Sequence, residues 1–303
     1  MNIKQIEKIL TDGGIEPNEA KIEAKMLVKH FLKLSDIDLT LNEEFEENTI
    51  VLERAKFRAE KRIPIQHIIG TAYFMGEDFI VNENVLIPRD ETEILVRKAI
   101  EEVKRGKEKE NKKQEPQNYS TVQLFDCSTK KVLDIGTGSG CIACMIAKLT
   151  DAQVLGIDVS LDALQIALEN SSKLGLFNKA IFRKSDIFSN VKADEKFDII
   201  ISNPPYIPIS EKNQLQIEVE FEPDLALFAK DIDGVEFYEK ITTKASEFLN
   251  EGGYLMFELG INQAKAVKAL MEKAGFKNIE IEKDLAGIER AIIGEWQKVK
   301  SKQ

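Results

Sequence analysis

The sequence predicts an α/β fold: a doubly wound, mostly parallel sheet with a small helical bundle ahead of it. Three observations predict it. After Lys130 apolar strand-like runs alternate with amphipathic helical stretches, a glycine-rich turn closes the first of those runs, and residues 1 to about 69 carry helical periodicity with no strand pattern. No internal repeat is found.

In chain order, Gly13-Gly14 closes a first short helix. From Asn18 the apolar positions Ala20, Ala24, Leu27, Val28, Phe31 and Leu32 fall on one helical face, with Pro17 where a first-turn proline is tolerated. Another helix spans about Thr49 to Lys61 and ends ahead of Pro64, because the residue before a proline is pushed out of the helical region. These stripes read as the core of a small bundle. From Thr71 the pattern changes to a β-hairpin, Tyr73-Phe74 and Phe79-Ile80-Val81 around a turn at Gly76. Asn82 to Arg89 reads as extended. Asp90-Glu91-Thr92-Glu93 opens a helix expected to reach about Val103, its acids well placed at the positive N-terminal end. Lys104 to Asn118 has no aliphatic or aromatic residue, so it reads as a solvated, mobile insertion or, alternatively, a basic docking segment.

Beyond Lys130, strands are expected at Lys131 to Ile135, Gln153 to Asp158, Ala180 to Lys184, Phe197 to Ser202 and Gly253 to Glu258. Helices are expected to start near Gly140, Leu161, Val235 and Gln263, and two β-like runs, Ile279 to Glu282 and Arg290 to Ile293, add an antiparallel end.

Composition narrows the function. The 303 residues suit two domains or one large one, and 43% hydrophobic content excludes disorder throughout. No apolar run is long enough for a membrane span and the first residues lack the order of a signal peptide, so a cytoplasmic location with no membrane partner is expected. A net charge of -10 weighs against an electrostatically driven nucleic-acid binder. Only His30 and His67 are present, which leaves little for a histidine-rich metal site, and none is expected. Of the three cysteines, Cys141 and Cys144 read as packing inside a helix rather than as a redox pair, and Cys127 leaves the count odd, against a disulfide framework.

Val132 to Gly140 places Gly136, Gly138 and Gly140 between the first strand and a helix, with Thr137 and Ser139 between them. Ligands bind at that position in such sheets, where glycines let the backbone turn and approach closely. Asp158, at the end of the next strand, has the spacing of an acid that accepts ribose hydroxyls. The dinucleotide pattern needs its third glycine at the place of Cys141, and so fails. Asp134 puts a carboxylate beside the loop, useful to a cationic ligand such as S-adenosylmethionine or simply capping loop N–H groups. Asp186 either accepts from an adenine amino group or caps a turn.

Asn203-Pro204-Pro205-Tyr206 follows the fourth strand, on the same sheet edge. Two prolines make the turn rigid and poor in donors. The Asn203 side-chain oxygen and the Pro204 carbonyl can each accept one hydrogen of an NH2 group, and Tyr206 can pack on a planar amide or base. Holding both hydrogens aims a conjugated nitrogen's lone pair and favours the charge that develops on it.

Asp134 through Gly140, Asp158 and Asn203 to Tyr206 resemble the S-adenosylmethionine-dependent amino methyltransferases. Pro64 to Gly70, the hairpin, Leu86 to Glu93, Glu222 to Phe228 and Asp233 to Tyr238 are similar to the peptide chain release factor glutamine methyltransferases, the PrmC/HemK family, over nearly the whole chain. That resemblance implies a Rossmann-like methyltransferase domain over 91–303, a hairpin linker over 70–90 and an N-terminal helical domain over 1–69 that helps hold the partner. It implies N5 methylation of the glutamine in the Gly-Gly-Gln motif of class 1 release factors, with S-adenosyl-L-methionine as donor and S-adenosyl-L-homocysteine as product. By position, Gly136, Thr137, Gly138, Ser139, Gly140 and Asp158 are implied to bind the cofactor with Asp134 and Asp186. Asn203, Pro204, Pro205 and Tyr206 are implied to hold the glutamine amide, with Asn203 and Pro204 catalytic and Asn203 also near the cofactor. Two departures from the family pattern are the length of 104–118 and Ile187, where an aromatic residue is frequent. The alternative, a DNA or RNA amino methyltransferase, needs a basic face and a base-reading module, and no stable nucleic-acid partner is expected. A cofactor-binding regulator without catalysis would have no use for the Asn-Pro-Pro-Tyr turn.

Overall fold

Polar residues cap the starts of the first four helices. The computed structural model describes residues 1–42, 44–46, 48–111 and 129–298. Its first unit comprises Met1–Thr71, Val81–Glu83 and Leu215–Glu222. Asn2 caps α1 (Ile3–Asp12), Glu16 caps α2 (Pro17–Leu32) ahead of its first-turn proline, and Ser35 with Asp38 forms a reciprocal capping box on α3 (Asp36–Leu41). Asn48 caps α4 (Thr49–Lys61), and α5 (Ile65–Ile69) closes on the left-handed Gly70. Ala20, Ala24, Leu27 and Val28 of α2 are buried against Ile6, Leu10, Val51 and Ala55, while Phe31 and Leu32 lie partly buried at the edge of that core.

One full charge sits inside this small unit. Arg58 is 1% exposed and donates to Glu23, 3% exposed, through Nε at 3.0 Å and Nη2 at 2.8 Å. Its Nη1 reaches Glu218 at 2.9 Å, and Arg62 Nε joins the same carboxylate oxygen at 2.7 Å. Burial raises the Glu23 carboxyl above the ordinary range in spite of Arg58. Burial also pulls on Glu218, but the hydrogen bonds of Arg58 and Arg62 bring it below that range.

The second unit holds the hairpin and the sheet. Strands β1 (Thr71–Phe74) and β2 (Glu77–Ile80) meet around Met75-Gly76, and Phe74 and Phe79 are buried edge to face with centroids 6.0 Å apart. Asn82 to Arg89, expected to be extended, turns at 83–85. Helix α6 (Thr92–Asn111) runs eight residues past the expected end at Val103. Lys, Glu and Arg are good helix formers that need no buried face, and pairs such as Arg105–Glu102 at 2.8 Å add to them. The lack of apolar residues was therefore a poor guide over 104–111; the remainder of that insertion, 112–118, and Cys127 lie outside the described residues.

Beyond it come β3 (Lys131–Ile135), α7 (Cys141–Leu149), β4 (Gln153–Asp158), α8 (Leu161–Lys173), β5 (Ala180–Lys184) and β6 (Phe197–Ser202). The short β7 (Ile207–Pro208), α9 (Asp224–Leu227) and β8 (Phe228–Ala229) precede α10 (Glu236–Phe248), β9 (Leu249–Glu258), α11 (Ala264–Lys273), β10 (Lys277–Lys283) and β11 (Glu289–Glu295). Among the described residues they make a seven-stranded sheet in the order β10-β11-β9-β6-β3-β4-β5. Five strands from β9 to β5 pair in parallel, and β11 is antiparallel to both its neighbours. The central strands are apolar along their length because helices cover both faces. Strand β9 begins at Leu249, ahead of the expected Gly253, with an irregularity in its pairing to β6 between Phe197 and Ile199. No helix among the described residues is long and apolar enough to cross a membrane.

Replacing Arg58 by Ala leaves Glu23 as an uncompensated buried acid. Its unfolding free energy is expected to fall by about 3–5 kcal/mol for the helical unit, read as a lower urea midpoint; an unchanged midpoint would show that the ion pair contributes nothing.

Candidate active site

The chain leaves β3 and β4, comes back beside β3 as β6, and so creates a switch point where two loops emerge together from the same sheet edge. Residues 136–140 form the first loop. Gly136 and Thr137 N–H groups donate to the Ile157 carbonyl at 2.8 and 2.9 Å, which folds the loop over the end of β4. Gly136 has φ +71°, and a Cβ built on it would project into open space, so its absence shapes a cradle. Gly140 serves packing instead. A Cβ there would lie 3.0 Å from the Ala167 Cβ and 3.1 Å from its Cα, so the glycine lets α7 approach α8 closely.

Gly136, Thr137, Gly138, Ser139, Asp158, Asp186, Asn203, Pro204 and Pro205 all line one cavity. Asp134, Gly140 and Tyr206 are outside its wall. Asp134 is fully buried; Thr137 Oγ1 donates to its Oδ2 at 2.6 Å, while its Oδ1 has no hydrogen-bond partner. Burial, aided by the nearby Asp158 charge and opposed by the Thr137 bond, pushes its carboxyl up to about 7. Asp158 accepts from Gly138 N–H at 3.0 Å and Ser160 N–H at 2.9 Å, one on each oxygen. Burial raises its carboxyl too, against those two donors. The Asp186 turn is closed by Ser189 Oγ, which accepts from Asp186 N–H at 3.0 Å, and among the described residues the exposed Asp186 carboxylate holds no hydrogen bond. Ile187 lines the cavity at φ +48°, a strained conformation for a β-branched residue.

The second loop is held from behind. Ser202 Oγ donates to the Ile135 carbonyl at 2.7 Å, and Gln263 Nε2 donates to the carbonyls of Tyr206 at 2.9 Å and Asp233 at 3.0 Å. The anchored Tyr206 packs half-buried on the core rather than on the cavity. Asn203 Nδ2 donates to Thr92 Oγ1 at 3.5 Å, and Thr92 Oγ1 in turn donates to Glu258 Oε2 at 2.6 Å. Cys141 and Cys144 are buried free thiols, and burial pushes Cys141 up to about 12, so neither is a nucleophile at neutral pH.

Several residues here escaped the sequence reading as individuals. Asn170 donates through Nδ2 to the carbonyls of Ser139 at 2.9 Å and Ile80 at 3.0 Å and accepts from Ile80 N–H at 2.7 Å, so it ties the hairpin to the glycine loop. Its only sequence signal is a polar residue on the buried face of α8. Gln263 and Glu258 give as little: a polar residue at a helix start and an acid at a strand end.

A methyltransferase domain family matches residues 126–301. The chain is 38% identical to the release factor glutamine methyltransferase of Flavobacterium psychrophilum over 91% of this chain and 92% of that protein. It is 35% identical to the bifunctional methyltransferase of Rickettsia conorii over 96% of this chain, but spans only 57% of that longer protein. Among solved structures, the hMettl16 catalytic domain, crystallised with an RNA hairpin, superposes with a TM-score of 0.55 at 14% identity, covering 92% of this chain and 94% of that one, a likeness of fold.

The two glycines are expected to respond differently to alanine. Each substitution costs about 1–2 kcal/mol for the left-handed backbone, and Gly140→Ala costs roughly another 1–3 kcal/mol for overpacking against Ala167. Equal urea midpoints for Gly136→Ala and Gly140→Ala would reject the separate roles.

Proposed function

The chain belongs to the release factor glutamine methyltransferase family, and from that premise we propose that it methylates the side-chain nitrogen (N5) of the glutamine in the Gly-Gly-Gln motif of class 1 release factors. The observation that carries this reading is the meeting of a glycine cradle and an acceptor-rich Asn-Pro-Pro turn in one cavity.

The residues present fit S-adenosyl-L-methionine. The space over Gly136 admits a ligand where a side chain would stand, Asp158 keeps lone pairs for ribose hydroxyls, and the unpartnered Asp134 Oδ1 supplies negative charge beneath the loop. Bound there, the cofactor supplies an electrophilic methyl group and leaves as S-adenosyl-L-homocysteine. Asp186 and Ile187 line the same cavity, and Asp186 is assigned to accept from the adenine amino group. Asn203 Oδ1 and the Pro204 carbonyl each accept one hydrogen of the glutamine NH2, which fixes the amide plane and aims its nitrogen. As the C–N bond forms, positive charge grows on that nitrogen and both acceptors bind its hydrogens more strongly. Pro205 keeps the turn rigid, and Tyr206 backs it through its anchored carbonyl. The net change replaces one amide N–H by N–CH3 and releases a proton. The helical residues 1–69 are assigned to holding the release factor, the hairpin region 70–90 to linking, and 91–303 to catalysis, in a cytoplasmic setting.

Incubating the protein with a class 1 release factor and S-adenosyl-L-methionine is expected to add the mass of one methyl group to the Gly-Gly-Gln peptide. Methyl incorporated into nucleic acid and not into the release factor would overturn the proposal. In the same assay Asn203→Ala is expected to lower kcat by about 10²–10³-fold, by analogy with loss of one preorganised hydrogen bond at a reacting centre, with a smaller effect on cofactor binding.

Asp134 adds a pH dependence. A cationic ligand favours the ionised carboxylate, so binding lowers a pKa near 7 and releases protons. Cofactor affinity is expected to rise between about pH 6 and 8 and then level off, and Asp134→Asn to flatten that rise; calorimetry in buffers of different ionisation enthalpy measures both, and a pH-independent affinity in the unsubstituted protein would remove Asp134 from this role.

A further inference from the structure

Glu258 is a buried acid beside the cavity that the proposed chemistry leaves unused. It ends β9, is 2% exposed, and takes the Thr92 hydroxyl at 2.6 Å. The nearby Arg290 pairs instead with Asp284 at 2.8 Å and Glu91 at 3.3 Å. A buried carboxylate is costly to keep, and this one sits two hydrogen bonds from the residue assigned to hold the methyl acceptor.

We propose that Glu258, acting through the Thr92 hydroxyl, selects which end of the Asn203 amide faces the substrate, so that Thr92 and Glu258 are positioning residues for methyl transfer. The inference rests on the reading of Asn203 as the residue that holds the glutamine amide. Thr92 has a single hydroxyl proton. An ionised Glu258 can only accept, so Thr92 must donate to it, and Oγ1 then offers Asn203 lone pairs alone. Asn203 answers with its NH2, at a long 3.5 Å, and Oδ1 is left for the substrate's N–H. A protonated Glu258 can donate to Thr92 instead, which frees the Thr92 proton for Asn203 Oδ1. The amide can then reverse and present its own NH2 to the glutamine NH2, a pairing of donors with donors.

Burial, with the neighbouring Glu91 charge, pushes the Glu258 carboxyl up to about 7, against the Thr92 bond and the attraction of Arg290 and Arg89. The other titratable groups acting with it, Tyr206, Tyr238 and Cys141, are all raised by their own burial and stay neutral near pH 7. The productive orientation is therefore held above this pKa and lost as pH falls through it.

Three measurements test the relay. Glu258→Gln and Thr92→Val are each expected to lower kcat roughly 10- to 100-fold, the size of a modest misplacement of a positioned group, with cofactor Kd by calorimetry unchanged. Thr92→Ser, which keeps the hydroxyl, is expected to recover most of the rate, and Glu258→Gln to abolish the acid limb near pH 7. Independently of turnover, the Asn203 side-chain ¹⁵N resonances of the unsubstituted protein should titrate with the midpoint of the Glu258 carboxyl ¹³C signal and cease to do so in Thr92→Val. Asn203 resonances that ignore Glu258, or a Glu258→Gln variant with full kcat and an intact acid limb, would overturn the relay. Failure of the unsubstituted protein to methylate the release factor, with the NMR coupling present, would instead remove the assigned reaction and leave the relay standing.

Discussion

Everything at the cavity depends on the parallel pairing of β3 with β6. Ile135 and Ser202 are cross-strand partners and the last residues of their strands, and the Ser202 hydroxyl closes on the Ile135 carbonyl at 2.7 Å. The glycine turn and the Asn-Pro-Pro turn therefore start level with one another, although Gly136 and Ser202 are 66 positions apart in the chain. A slip of one residue in β6 would turn its apolar side chains to the opposite face and carry Asn203 away from the cradle. Register, set by burial on both faces, is what converts two ordinary loops into one site.

The same edge gathers acids that a stability argument alone would remove. Asp134 and Glu258 are almost wholly buried, and Asp158 is shielded by its own loop. Burial raises all three, so without ligand they favour the protonated form relative to water-exposed carboxylates. Such local conflict between folding and charge is a mark of a working site, because a group held out of water is more responsive to the ligand or neighbour that finally satisfies it. Rigid backing makes the conflict tolerable: Asn170 and Gln263 each saturate backbone groups on two segments, so the loops are not held by the acids alone.

What the sequence made legible was whatever has a short-range signature. The βαβ alternation, the three glycines, the acid at the end of β4 and the double-proline turn are all local patterns, and the cavity gathers their residues with few exceptions. The exceptions are instructive. Gly140 carries the same signature as Gly136 but is used for helix packing, a distinction that depends on Ala167 across the interface. Tyr206 is drawn to the core by Gln263, 57 residues away, which no spacing rule anticipates. The Thr92–Glu258 contact joins residues 166 apart, and α6 outlasts its apolar stripe because helix propensity does not require one.

The eight residues Leu215–Glu222 belong with the N-terminal helices, yet the chain returns at Pro223 to line the cavity. Glu218 in that stretch neutralises Arg58 from far along the sequence. The helical unit is thus assembled from discontinuous pieces and is not a cassette. A chimera that exchanged residues 1–69 between relatives would carry Arg58 and Glu23 together but leave behind Glu218, the second carboxylate on Arg58 and the partner of Arg62, so recombination between such proteins is constrained to exchange both stretches together.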